Sequence, residues 1–101
     1  MRFKAIIATT GEDAFGYSYP QAELERMAGD MPGLPVNSNG YPVGIVEAAR
    51  AVPGALSVEG DIGAEAAGLY AVPVWMDLEV VGLILVPVPS DPNLTPVEMM
   101  E

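Results

Sequence analysis

The sequence predicts a mainly β domain of the α+β class, a small sheet or partly closed barrel carrying one short helix. Three observations predict it. Short segments with apolar residues at alternate positions are separated by glycine and proline, which is the spacing of strands rather than helices. Only one stretch, near residues 19–28, combines a helical apolar stripe with a start signal. The composition, 50% apolar and 18% charged over 101 residues, is that of a single modest globular core and lacks the high charge and low hydropathy of a disordered chain.

Taken in order, residues 2–9 are rich in Phe and Ile and alternate weakly, which predicts an opening strand. Thr10 to Tyr17, with two glycines and two acids, predicts a loop. Ser18 stands three residues before Gln21, and Pro20 lies in the first turn where a missing N–H costs nothing, so a capping-box helix is expected to start here. Its stripe is Leu24, Met27 and Ala28, with Glu23 and Glu25 facing solvent; Gly29 stands where a left-handed residue ends a helix, and Pro32 follows. Met31 to Pro42 carries three prolines, two glycines and two asparagines and predicts an irregular surface crossing.

Val43 to Val52 satisfies a helical stripe as well as a buried strand. The Pro53-Gly54 signal of a type II turn, followed by the alternating Leu56-Ser57-Val58, decides for a hairpin of 43–52 and 55–62. Residues 63–69 are a loop or one helical turn. Residues 70–76 and 78–87 read as two more strands, the second apolar on both faces and so central or covered on both sides. Residues 1–88 thus form one globular domain. Residues 89–101, with three prolines and an acidic, methionine-rich end, read as an extended C-terminal arm.

Four basic against fourteen acidic residues give a net charge of −10, which repels phosphate backbones and anionic lipid and argues against nucleic acid and membrane surfaces as partners. The longest apolar run, Val80 to Val86, is far too short to cross a bilayer. The basic-then-apolar start, Met1 to Ala8, is too short for a secretion signal, so a cytoplasmic product is expected. Without cysteine there is no disulfide framework and no thiolate ligand set; without histidine the commonest general base is missing. Lys4, the single lysine, could serve a Ser-Lys dyad but reads as a solvated strand charge. Glu59 with Asp61, and Asp77 with Glu79, are spaced two apart in strands, so each pair would project from one face and could bind a hard cation or share a proton. A solvated sheet face is the simpler reading of both, and no metal or cofactor is expected. Gly11 to Gly16 is glycine-spaced but acidic, the wrong charge for cradling phosphate.

Several short motifs, in order, resemble the bacteriophage prohead (capsid maturation) proteases. They are Asp13 and Gly16 in the first loop; the helix Pro20-Gln21-Ala22-Glu23-Leu24-Glu25-Arg26-Met27-Ala28; Gly33-Leu34-Pro35-Val36 and Pro42-Val43-Gly44-Ile45-Val46; Gly54 to Gly60; and Glu79-Val80 leading to Val86-Pro87-Val88-Pro89-Ser90-Asp91-Pro92. The resemblance implies a reduced version of that fold. It also locates two departures. Asn37-Ser38-Asn39-Gly40 stands where the family has its histidine, and residues 61–88, where its serine nucleophile should follow, contain no serine.

A protease-like scaffold without its machinery implies a non-catalytic phage structural or interaction protein, most simply a capsid decoration or minor head protein. The alternatives are a regulatory or scaffold-associated relative of the protease and, last, an active peptidase. The implied partners are a capsid protein or other virion protein together with further copies of the chain as a homo-oligomer, and the implied location is the host cytoplasm during assembly and then the phage head. The arm should carry the contact: Pro89, Pro92 and Pro96 keep it extended, and Leu94, Val97, Met99 and Met100 are the apolar anchors. It is expected to lie on a neighbouring subunit and to be mobile in the isolated chain.

Overall fold

The computed structural model describes residues 1–100, which form seven strands and one helix: β1 (Arg2–Thr9), α1 (Gln21–Asp30), β2 (Pro35–Ser38), β3 (Tyr41–Val52), β4 (Ala55–Ile62), β5 (Tyr70–Met76), β6 (Glu79–Val86) and β7 (Glu98–Met100). The strands make one sheet in the order β5-β6-β2-β3-β4-β1-β7, antiparallel throughout except for a short parallel contact between β2 and β6. The sheet curls into a half-barrel and brings β1 against β5. Across the remaining gap the Val97 N–H donates to the Leu69 carbonyl at 2.7 Å.

Alternation decides which face is inside. Along β4, Leu56, Val58, Gly60 and Ile62 are buried, while Ser57, Glu59 and Asp61 point outward. β1 turns Phe3, Ala5 and Ile7 to the same core. The curl is made by irregularities in register within β1, β3 and β6 and by two glycines that allow backbones to touch. A Cβ on Gly60 would lie 2.0 Å from the Ile45 carbonyl oxygen, and one on Gly44 would lie 2.4 Å from that of Asp61, so β3 and β4 cross too closely for any side chain at either position.

The helix packs on β3 and β4 through Leu24 and Met27, with Met31 buried just beyond its end. Its termini differ from expectation. No side chain caps the N-terminus, where Pro20 is the extended flanking residue. Gln21 is engaged elsewhere: its Nε2 donates to the Val52 carbonyl and its Oε1 accepts from the Gly54 N–H, both at 2.9 Å, which pins the β3–β4 turn to the helix. Gly29 stays helical, and the left-handed residue is Gly33, which follows Pro32 at φ 92° and donates its own N–H to the Val46 carbonyl.

Two further expectations are corrected. The crossing at 31–42 contains β2, joined to β3 by Asn39-Gly40 with both residues at positive φ, 52° and 83°, as a two-residue hairpin turn requires. The second correction is to the arm. Leu94 and Val97 are buried, and β7 pairs with β1, Met99 opposite Phe3 and Met100 opposite Arg2. The segment is also tied down by polar contacts: Thr9 Oγ1 donates to Asp91 at 3.3 Å, and Asn93 Nδ2 to the Glu12 carbonyl at 3.0 Å. Its prolines withhold donors only at their own positions; Val97 keeps an N–H to close the barrel gap, and the β1 edge beside it offered unpaired backbone. Glu101 lies outside the described residues.

Candidate functional site

The residues proposed from sequence as partner contacts are dispersed by this packing. Leu94 and Val97 belong to the core; Pro89, Met99 and Met100 are half-buried; only Pro92 and Pro96 are exposed. Three other elements meet at one place, and two of them leave large apolar side chains in solvent there.

The first is the loop from Thr10 to Pro20. Its core is a turn around Asp13, whose Oδ1 accepts from the N–H groups of Phe15 and Tyr17 at 2.8 and 2.9 Å, while its own N–H donates to the Tyr17 carbonyl. Ala14 N–H donates to the Ser90 carbonyl, which anchors the loop to the segment after β6. The loop is thus built from its own acid and holds Tyr17 and Tyr19 in fixed places. The second element is the exposed side of α1, carrying Glu23 and Arg26. The third is the β5–β6 hairpin, with Trp75 at the end of β5 and Leu78 in the turn.

Together these residues line an open trough of about 460 Å³. The Tyr17 and Tyr19 rings meet edge to face with centroids 5.3 Å apart, and Tyr19 stacks on Trp75 at 6.3 Å with 20° between the planes. Trp75 Nε1 donates to Tyr19 Oη at 3.2 Å. Burial holds the Tyr19 hydroxyl above its ordinary pKa, against the opposing effect of the Trp75 hydrogen bond. Arg26 is bound by Glu23 and lies 3.9 Å from Asp30; its hydrogen bond in turn lowers the Glu23 pKa.

Leu78 is the unusual member. It sits at φ 68° beside Asp77 at φ 50°, a turn conformation suited to glycine and asparagine, and its side chain is 87% exposed. An L-residue in this region costs about 1–2 kcal/mol, and nothing in the domain covers the leucine in return.

A second hollow, of about 510 Å³, lies on the outer face of β1, β3 and β4, where Lys4, Arg50, Ser57 and Glu59 line it. It gathers the candidate dyad lysine and a serine, but among the described residues no side-chain hydrogen bond joins Lys4 to Ser57 or orients either group. The carboxylate pairs separate. Glu59 and Asp61 do share the outer face of β4, and Asp61 is taken by the Met1 ammonium group at 3.1 Å. Asp77 lies in the turn rather than in a strand, so it does not pair with Glu79 by strand alternation. Among the described residues no three acidic side chains converge as a metal site would need, and no helix is long and apolar enough to cross a membrane.

The trough was missed in the sequence because its parts lie far apart, at 17–19, 23–26 and 75–78. One local signal was present: Asp77-Leu78 occupies the tip of a hairpin between two apolar strands, where an exposed leucine is out of place. Comparisons with protein-family models, curated proteins and solved structures find no match to this chain.

Proposed function

We propose that this protein is a non-catalytic phage structural protein, a capsid decoration or minor head protein, which docks on a capsid or other virion protein through the aromatic trough and joins the head after assembly in the host cytoplasm. The observation that carries the reading is the trough itself: aromatic side chains pre-ordered by a turn and a hydrogen bond, ringed by charge, and left open to solvent. Pre-ordered rings lose little entropy on contact, and aromatic residues dominate the energetics of protein interfaces. The prohead-protease resemblance supplies the phage setting, and the absence of histidine, with Lys4 and Ser57 unlinked, supports a binding rather than a hydrolytic role.

The test is co-sedimentation with heads assembled from the major capsid protein encoded in the same genome. The expected result is saturable binding by the native chain and its loss in Leu78→Asp, with no cleavage of the capsid protein by either. Equal binding by the variant moves the contact elsewhere, and cleavage that disappears with Lys4→Ala restores the peptidase reading.

A further inference from the structure

We propose that the trough binds an extended, proline-containing segment of its partner, one that carries lysine or arginine beside its prolines. The inference rests on the reading of the trough as a protein-docking face and adds the chemistry of the occupant.

Shape is the first argument. The trough is lined by three rings in a row, set edge to face and then stacked. A polyproline II segment has flat pyrrolidine faces that pack on such rings, arrives already restricted in φ, and makes no internal hydrogen bonds, so its carbonyls are free to accept from a hydroxyl such as that of Tyr17. A helix would need an apolar groove running several turns. Here Glu23 and Arg26 interrupt the apolar lining on one side.

Charge is the second. Asp13 and Glu23 lie close enough to act on the Tyr19 hydroxyl, and Glu23, Asp30 and Glu79 on Arg26. Of these carboxylates Glu23 lines the trough, Asp13 holds the adjoining loop and Asp30 lies 3.9 Å from Arg26, the one guanidinium of the lining, which is already held by Glu23. The unmet charge at the rim is negative, which favours a cationic partner and disfavours an acidic one.

The same argument decides between a foreign segment and a second copy. This chain has a proline run of its own, Pro87-Val88-Pro89, in which Pro87 and Val88 are exposed and Pro89 is half-buried. That run leads into Asp91 on a molecule of net charge −10, so a second copy would bring like charge to an acidic rim. Leu78 completes the site: an apolar side chain displayed at a strained turn gains its contact only when a partner lies against it.

Trp75 is the single tryptophan of the chain and lies in the trough, so its fluorescence reads occupancy directly. The full chain is titrated with the peptide acetyl-Ala-Pro-Ala-Leu-Pro-Pro-Arg-Lys-amide. The expected result is a saturable shift of Trp75 emission. Replacing the peptide's Arg and Lys by Glu should weaken binding by about tenfold at low salt, the gap narrowing as salt is raised. Replacing its prolines by alanine should also weaken it by about tenfold, through the restored freedom of the peptide. Tyr17→Ala, at an exposed position, should remove the shift, and Val88→Ala should leave it unchanged.

Equal binding of the basic and acidic peptides overturns the charge assignment, and equal binding of the alanine peptide overturns the proline assignment. A Trp75 shift on concentrating the protein alone, lost in Val88→Ala, replaces the foreign segment by a second copy. Failures of the two readings are distinguishable. Co-sedimentation with heads in the absence of any peptide response overturns this inference and leaves the docking reading standing; a peptide response without head binding keeps the groove and overturns the phage-head setting.

Discussion

The C-terminal segment and the β5–β6 hairpin carry similar side chains to opposite ends. Both present leucine, methionine and valine near prolines, and both lie at margins of the sheet. In the C-terminal segment Leu94 and Val97 are buried, and β7 completes the open edge of β1. In the hairpin Met76 and Leu78 remain in solvent, and Trp75 is only partly covered. The difference lies in what each segment can reach. The C-terminal segment has a backbone donor for the Leu69 carbonyl and the β1 edge to pair with, whereas the tip of the hairpin borders an open trough that leaves Leu78 in solvent. Apolar character alone therefore does not tell a side chain that enters the core from one left in solvent.

The sharpest way to break this comparison is to remove the C-terminal segment. Deleting 94–101 takes away two buried side chains and the β1–β7 pairing, and it should destabilise by at least about 4 kcal/mol, judged from single buried truncations, a large part of the roughly 5–15 kcal/mol that holds a domain together. Urea denaturation measures it. An unchanged midpoint would return the segment to the role of a free arm.

A matched pair of substitutions sharpens the contrast. Leu94→Ala should cost about 2–5 kcal/mol as a buried leucine truncation does, and the same measurement on Leu78→Gly should show no loss. The glycine variant is expected to gain about 1 kcal/mol, because it relieves the positive φ at an uncovered position. Its response to the proline peptide should nevertheless weaken. If Leu78→Gly destabilises as much as Leu94→Ala, the hairpin belongs to the core and the docking reading loses its anchor.

The smallest expected effect is a pH dependence at the trough. Tyr19 has its folded pKa raised by burial, so the fold favours the neutral phenol. The associated stability is fully present below the unfolded tyrosine pKa of about 10 and is lost as pH rises through the higher folded value. Tyr19→Phe should flatten the alkaline slope of stability while leaving neutral pH behaviour close to the native chain. An unaltered slope would show that the Tyr19 hydroxyl is not buried in solution.

How much of this was legible beforehand follows from the range of each interaction. The opening strand, the Pro53-Gly54 hairpin and the Leu24 and Met27 stripe were readable because their signals lie within a few residues: alternation, a turn dipeptide, a helical spacing. β2 carried a readable Asn39-Gly40 signal, but its proline-rich surroundings and four-residue length concealed it. The helix boundaries were misread for a different reason. Ser18 and Gln21 had the spacing of a cap, yet Gln21 hydrogen-bonds to a turn more than thirty residues away, an alternative partner that local spacing does not reveal.

By itself the sequence determined a mainly β chain with one helix, an acidic surface, and a chemistry without thiol or imidazole, because composition and short periodicities act residue by residue. Only the tertiary structure decided that the last strand closes on β1, that Gly44 and Gly60 let two strands touch, and that Tyr17, Tyr19, Trp75 and Leu78 meet in one trough. The physical reason is that strand pairing and burial are settled between segments distant in the chain. Whether an apolar side chain is covered depends on which sheet edges remain open once the rest has packed.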